Sequence, residues 1–442
     1  MRMAWQLWKT ATPSRKVLLA TCSLLLAASF LIGARALDLT VPYLPLAIAG
    51  GFVFYLRVSP KKTEMLFWAL FSVLFGLAVI FPRNGDWVLW GSGILALPGL
   101  AGLLLLALRC LWSERPARGK AYALLAPAAS MVFFVFSAQR VLSLANLLYP
   151  KTFDLYLFAA DGSFGWQPSF LLCRAMAQSS FFGIAVKLAY VSLPFVMALV
   201  YAMRIPRNTE RPSWDMITIF LLAGLAGSVL YNILPACGPL YAFRGFFPWG
   251  SLPYESLARL RLEMLPVPRD IPRNAIPSLH IAWAVLLWWN SRKLSAPLRV
   301  FTGLYFVLTI LSTLATGEHY LVDIIAGIPF ALCVQAIISP ENPSLKLADR
   351  ARIAASSLAL TLVWMLVIRF ETKWLFISPI VPWGLGIFTI VTVARLNGKL
   401  ADRNGALGVS RTVALNGSVS LPGEPSELSG NPRESQLNSI GS

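Results

Sequence analysis

Charge and imidazole are both scarce in this chain, and each scarcity narrows what it can be. Only 13% of the 442 residues are charged, where a soluble domain carries about 25%. With 57% hydrophobic residues and a mean hydropathy of +0.66, a water-soluble domain is excluded. Acidic residues are the scarcer sign, 20 Asp and Glu against 38 Lys and Arg. The basic residues fall in small groups between apolar runs and form no stripe interleaved with aromatics, so no nucleic acid is expected as a partner and the excess reads as membrane topology. Five cysteines, Cys22, Cys110, Cys173, Cys237 and Cys333, are odd in number and lack C-x-x-C spacing, which argues against a disulfide framework and a cysteine zinc site. Histidine occurs only twice, as His280 and His319.

What the chain has in abundance is long apolar runs. They fall near 17–37, 40–57, 64–82, 87–108, 121–139, 179–203, 216–235, 278–291, 299–316, 320–339, 352–368 and 375–394, most of them near the roughly 20 residues that cross the hydrocarbon core as helix. The expected fold is all-α: a polytopic membrane helix bundle of about twelve transmembrane helices. The first run ends in Gly33-Ala34-Arg35 without a persuasive cleavage site and reads as a retained span. With a cytoplasmic N-terminus, the inner loops carry Arg57/Lys61/Lys62, Arg109/Arg115/Arg118/Lys120, Arg204/Arg207/Arg211, Arg292/Lys293/Arg299 and Lys346/Arg350/Arg352, and the C-terminal side begins Arg395/Lys399. Short outer loops hold only Arg35, Arg83, or Arg369 and Lys373, so the bias places both termini inside.

The basic segment 109–120 separates four spans without polar features from the region that holds every candidate functional residue. The expected partition is an accessory N-terminal block over 1–120, a catalytic core over 121–339, a C-terminal transmembrane pair over 340–398 and a disordered tail over 399–442. The tail is rich in Ser, Gly, Asn, Pro and Glu. Two long polar-aromatic segments, 140–178 and 236–277, fall on the outer side, and loops of that length are usually functional. No internal repeat marks an inverted-repeat transporter.

Both histidines stand in short polar breaks, in Pro277-Ser278-Leu279-His280 and in Gly317-Glu318-His319-Tyr320-Leu321-Val322-Asp323. The alternation of spans brings them to one face, expected to be extracytoplasmic. His319 and Asp323 are spaced i, i+4, so a helix stacks them and the carboxylate holds one ring nitrogen as N–H, leaving the other as a nucleophilic lone pair. His280 follows a Pro-Ser turn at a helix start, where free N–H groups and the Ser278 hydroxyl can bind an anion. A phosphate held there would sit between nucleophile and acid. Taken singly, either histidine reads equally as an interfacial residue. A metal site from the two histidines, Glu318 and Asp323 has no recognised ligand spacing, and neither metal nor cofactor is expected. A proton-coupled transporter would want its ionisable groups near the bilayer midplane, whereas these sit at span ends.

The motifs resemble those of the type 2 phosphatidic acid phosphatase superfamily, whose second motif is Pro-Ser-Gly-His and whose third ends His-x-x-x-Asp. Pro277-Ser278-Leu279-His280 and His319-Tyr320-Leu321-Val322-Asp323, followed by Ala326-Gly327, match them. Together with the string Asp154, Asp161, Phe164-Gly165 and Pro168, the Pro-Ser-Leu-His form resembles the branch containing fungal inositol phosphorylceramide synthases. The resemblance covers about 121–339 and implies a six-helix catalytic core. In it His319 attacks phosphorus, His280 serves as acid and then base, and Asp323 steadies the imidazolium. The substrates it implies are membrane lipids, with no obligate protein partner, in a plasma, inner or Golgi membrane. Transfer of a headgroup to a lipid or polyol hydroxyl is expected ahead of simple lipid phosphate hydrolysis.

Two departures bear on phosphate binding. The superfamily's first motif, Lys-x6-Arg-Pro, would put its basic residues at Tyr231 and Gly238, before Pro239, and its third would put Ser-Arg at Ser312-Thr313. The inositol phosphorylceramide synthase branch is similar in lacking these cations. Replacement clamps are sought in Arg273, four residues before Pro277, and in Arg244 and Arg269 of the same outer loop; guanidinium suits bidentate phosphate binding, though interfacial arginines also bind headgroups without specificity. Lys187 lies within a span and either snorkels or faces phosphate. Asp154 and Asp161 bind a polyol acceptor or cap short helices.

Overall fold

A chain that must satisfy every backbone N–H and C=O without water has the helix as its open solution, and the computed structural model is helical almost throughout. It describes residues 43–80, 87–206, 215–338 and 345–401. The expected span at 17–37, the tail beyond 401, and Arg35, Arg83, Arg207 and Arg211 of the topology pattern lie outside the described residues. In chain order the helices are α1 (Tyr43–Leu56), α2 (Lys62–Ile80), α3 (Trp87–Trp112), α4 (Arg115–Leu148), α5 (Asp154–Gly162), α6 (Pro168–Gln178), α7 (Ser180–Val191) and α8 (Leu193–Arg204). They continue as α9 (Asp215–Leu230), the short α10 (Pro239–Ala242) and α11 (Tyr254–Ala258), then α12 (Leu279–Asn290), α13 (Ala296–Ala315), α14 (Leu321–Ile338), α15 (Leu347–Glu371) and α16 (Ile380–Ala401).

Among the described residues six helices are long and apolar enough to cross a membrane: Ile94–Trp112, Arg115–Ser137, Ala296–Ala315, Leu321–Ile338, Leu347–Phe376 and Ile380–Ala401. The pair α7 and α8 makes a seventh if counted as one span, bent by 57°. These helices, with large apolar side chains such as Leu66, Phe67, Phe181, Ile184 and Phe388 facing outward, fit an integral membrane protein. Twelve spans are not confirmed among the described residues, where several of the expected runs form short or broken helices. The run 278–291 folds as α12, whose 12 residues reach about 18 Å, short of the hydrocarbon thickness. The runs 40–57 and 216–235 give helices of 14 and 16 residues, and 179–203 breaks before Pro194, whose ring and missing N–H end the preceding helix.

α14 lies at the centre, 72% buried where the other spans are 28–44% buried. It packs against α9, α12, α15 and α16, while α12 packs against α8, α9 and α13. α1 is wedged among α3, α4 and α8. The segments 140–178 and 236–277 join each other across one end of the bundle. Lys151–Thr152 (β1) pairs antiparallel with Leu265–Pro266 (β2) in the register Lys151 to Pro266 and Thr152 to Leu265. Phe158, Phe170, Phe243 and Phe247 bring their rings together at centroid separations from 4.8 to 6.3 Å, an apolar seam that ties α5 and α6 to the loop around α10. Arg369 of α15 donates to the Ile233 carbonyl and lies over the Phe153 ring, fastening the C-terminal helices to the same end.

Candidate active site

The turn 317–320 between α13 and α14 presents His319, and its surroundings decide the ring's tautomer. Nδ1 lies 2.9 Å from the Ala275 carbonyl oxygen and 3.4 Å from Asp323 Oδ2. Both partners are acceptors, so Nδ1 carries the hydrogen and Nε2 the lone pair. Nε2 in turn lies 3.2 Å from Ser278 Oγ, whose hydroxyl can donate to it while accepting the Ile281 N–H as the N-cap of α12. The Asp323 carboxylate also accepts from Tyr320 N at 2.8 Å through Oδ2, and its buried Oδ1 makes no hydrogen bond. His319 is 2% exposed, and Ser169 Oγ donates to its carbonyl at 2.8 Å.

His280, on the first turn of α12, comes to the same point from a different element. Its ring centroid is 6.0 Å from that of His319. Ser278, His280, His319 and Asp323 are therefore brought together. Tyr190 of α7 stacks on the His280 ring at 4.2 Å, and the Tyr43 hydroxyl lies 3.2 Å from His280 Nε2. Glu318 stands beside His319 and accepts from the Tyr241 hydroxyl at 2.8 Å. Burial holds the Glu318 carboxyl above the usual carboxylate range, and the bond from Tyr241 opposes that rise. Among the described residues no group of three or more His, Cys, Asp or Glu could hold a metal ion.

The position that would carry the first-motif arginine is filled by backbone. Gly238 has φ +91°, and a Cβ there would fall 2.3 Å from the Glu318 carbonyl oxygen. No side chain fits at this crossing, where Leu240 N also donates to the Gly317 carbonyl at 2.9 Å. Ser312 and Thr313 bond back to carbonyls of their own helix.

The expectation that Arg273 replaces those cations gives way to a structural role. Its side chain is fully buried, with Nε donating to Tyr149 O at 3.1 Å, Nη1 to Pro268 O at 2.7 Å and also to Ile271 O, and Nη2 to Val267 O at 2.7 Å. Its backbone N–H donates to Asn146 Oδ1 at 3.1 Å. A guanidinium so engaged holds the loop 267–273 to the end of α4 and has little left for phosphate. Arg273→Lys should therefore strand buried carbonyls and cost about 1–3 kcal/mol of stability, read as a lowered Tm. KM for a lipid donor should stay within about twofold; a KM raised about tenfold with Tm unchanged would return Arg273 to the phosphate.

The other expected ligands separate in the same way. Lys187 is exposed on the outward face of α7 beside Leu188, the snorkelling arrangement. Arg244 and Arg269 are exposed on the loop. The two aspartates expected as acceptor ligands are occupied by the protein: Asp154 accepts from Cys237 N, Gly238 N and the Tyr320 hydroxyl at 2.9–3.2 Å, and Asp161 accepts from Leu321 N and Val322 N at 2.8 and 3.0 Å. Asp161 thus caps α14 from a distant segment, satisfying two of the first N–H groups of that helix, and Asp154 knots three segments together. Their capping reading is the one the contacts support.

Sequence reasoning missed Tyr43, Tyr190 and Tyr241, and weighed Glu318 only as a metal ligand. Tyr43 and Tyr190 lie in apolar runs where a tyrosine has no distinguishing mark, while Glu318 stands directly beside His319 and was open to a second reading.

Residues 155–337 match the family model described as the PAP2 superfamily, whose members are typically phosphatases or phosphotransferases. The match runs from within α5 to the end of α14 and leaves out α1–α4 and α15–α16. No curated protein and no solved structure matches the chain.

Proposed function

We propose that the protein is an integral-membrane phosphotransferase that moves a phospho-headgroup between lipid or polyol hydroxyls through a phosphohistidine at His319, in the manner of an inositol phosphorylceramide synthase. The observation that carries this reading is the pair of acceptors on His319 Nδ1, which makes Nε2 the nucleophile, with a second imidazole 6.0 Å away. Nε2 attacks phosphorus as the bond to the departing alkoxide breaks, and His280 gives that oxygen its proton. The charge that grows on Nδ1–H is met by Asp323 and the Ala275 carbonyl. In the second half the acceptor hydroxyl gives its proton to His280, its oxygen bonds to phosphorus, and the P–N bond returns its electron pair to His319.

Two features support transfer over hydrolysis. The joined outer segments, with their phenylalanine seam, supply a cover that keeps water from the phosphohistidine. A site whose first-motif cation position is backbone offers little positive charge to a dianionic phosphomonoester and suits a singly charged phosphodiester better. The start of α12, and Arg244 and Arg269 of the loop 236–277, are left to meet that one charge. The active site faces the extracytoplasmic side in this reading. Purified protein given a labelled glycerophospholipid should form a new phosphodiester only when a lipid or polyol acceptor is added. Rapid release of free phosphate from a phosphomonoester, indifferent to any acceptor, would identify a phosphatase instead.

A further inference from the structure

The N-terminal helices lie outside the family match, yet one of their side chains reaches the site. Tyr43, the first residue of α1, sets its hydroxyl 3.2 Å from Nε2 of His280, with the two ring centroids 5.9 Å apart. Tyr190 of α7 lies flat on the same imidazole, 18° from parallel, and its centroid is 6.2 Å from that of Tyr43. α1 is seated closely on α3 near this contact. A Cβ at Gly99 of α3 would fall 1.8 Å from the Ile48 carbonyl oxygen, so the two backbones touch and only glycine permits it.

A two-step transfer asks opposite services of His280. It must give a proton to the departing oxygen and later take one from the acceptor. Both services fall to the ring nitrogen that faces the substrate, so the other nitrogen must keep its hydrogen throughout. For His319 that hydrogen is held by Ala275 and Asp323; for His280 the hydroxyl of Tyr43 is the group within reach of Nε2.

We propose that Tyr43 is the positioning residue of His280: its phenol oxygen accepts from Nε2–H and so leaves Nδ1 to exchange the working proton. The inference rests on the phosphotransfer reading for its catalytic consequence and on geometry alone for the contact. In the first half-reaction the P–O bond to the alkoxide breaks, the Nδ1 proton goes to that oxygen, and neutral imidazole remains with hydrogen on Nε2. In the second, the acceptor hydroxyl loses its proton to Nδ1 as its oxygen bonds to phosphorus and the P–N bond to His319 breaks. The titratable groups facing His280 are Tyr43 from α1, Tyr190 from α7 and His319 from the turn. The N-terminal block is then part of the catalytic unit rather than an accessory to it.

The chain's two histidines make the test clean. Full-length protein labelled with 15N-histidine and held in lipid nanodiscs gives two ring systems, assigned with the His319→Ala variant. The wild-type neutral form of His280 is expected to be the Nε2–H tautomer; an Nδ1–H form would overturn the proposal without any variant. Tyr43→Phe keeps the ring and removes the oxygen, so the tautomers should mix. The titration midpoint of His280 should fall, because the protonated ring loses an acceptor. In the transfer assay kcat should drop about tenfold, with the basic limb of its pH profile moved to lower pH and KM nearly unchanged. Tautomer, midpoint and profile all as in wild type would overturn the proposal, since a space-filling role survives in phenylalanine. If the spectra change as expected while wild type shows no phosphotransfer, positioning stands and the functional reading falls.

Discussion

His319→Ala should leave the purified protein without measurable transfer, a fall in kcat of about 10⁴-fold or more, because a covalent route cannot run without its nucleophile. Nε2 of His319 is the ring nitrogen that keeps its lone pair at the turn, and Ser278 Oγ beside it is engaged as the N-cap of α12. Labelled donor should also fail to leave an acid-labile phosphoryl group on the variant, whereas wild type quenched before acceptor is added should carry one. Substantial activity in His319→Ala, or a labelled intermediate that survives the substitution, would end the phosphohistidine proposal.

His280→Ala should lose about 10²–10⁴-fold, the usual worth of one general acid–base group, and the loss should depend on what leaves. With a glycerophospholipid the departing alkoxide is strongly basic and needs its proton. With a p-nitrophenyl phosphodiester the departing phenolate is stable unprotonated, so the first step should recover while the second, which still needs a base, does not. Phosphohistidine should then accumulate, with a burst of p-nitrophenol and a slow steady state. Equal losses with both donors and no burst would show that His280 does not handle the leaving-group proton.

The parts of this architecture that were legible in the sequence are those that break an apolar pattern. Two imidazoles and a carboxylate within or beside apolar runs are costly unless they have work or partners, so His280, His319 and Asp323 stand out, and the i, i+4 spacing of His319 and Asp323 and the Pro-Ser turn carry geometry with them. What stayed illegible depends on contacts across the chain. Asp161 caps a helix 160 residues on, and Tyr43 meets His280 across 237 residues; neither leaves a local signature. The carbonyl cage of Arg273 is made by the backbone of its own loop, to which residue identity is nearly blind. The span count is not confirmed among the described residues, because hydropathy measures how apolar a run is, whereas α12 ends after 12 residues inside the bundle.

The bonds that define the turn 317–320 have a direction in time. His319 takes its partners from Ser169, Ala275 and Ser278, Tyr320 takes Asp154, and the start of α14 takes Asp161. These partners precede it in the chain, while Asp323, which lies against His319 Nδ1 and accepts the Tyr320 N–H, follows it. A ribosome delivering this protein to the membrane from its N-terminus therefore lays down His280, the caps and the earlier acceptors first, and His319 with its carboxylate after them. A chain halted near residue 310 holds His280 but neither His319 nor Asp323. In the proposed reaction the newly inserted chain is thus chemically silent toward the lipids around it until the turn 317–320 and α14 arrive, with α15 and α16 still to pack against that helix.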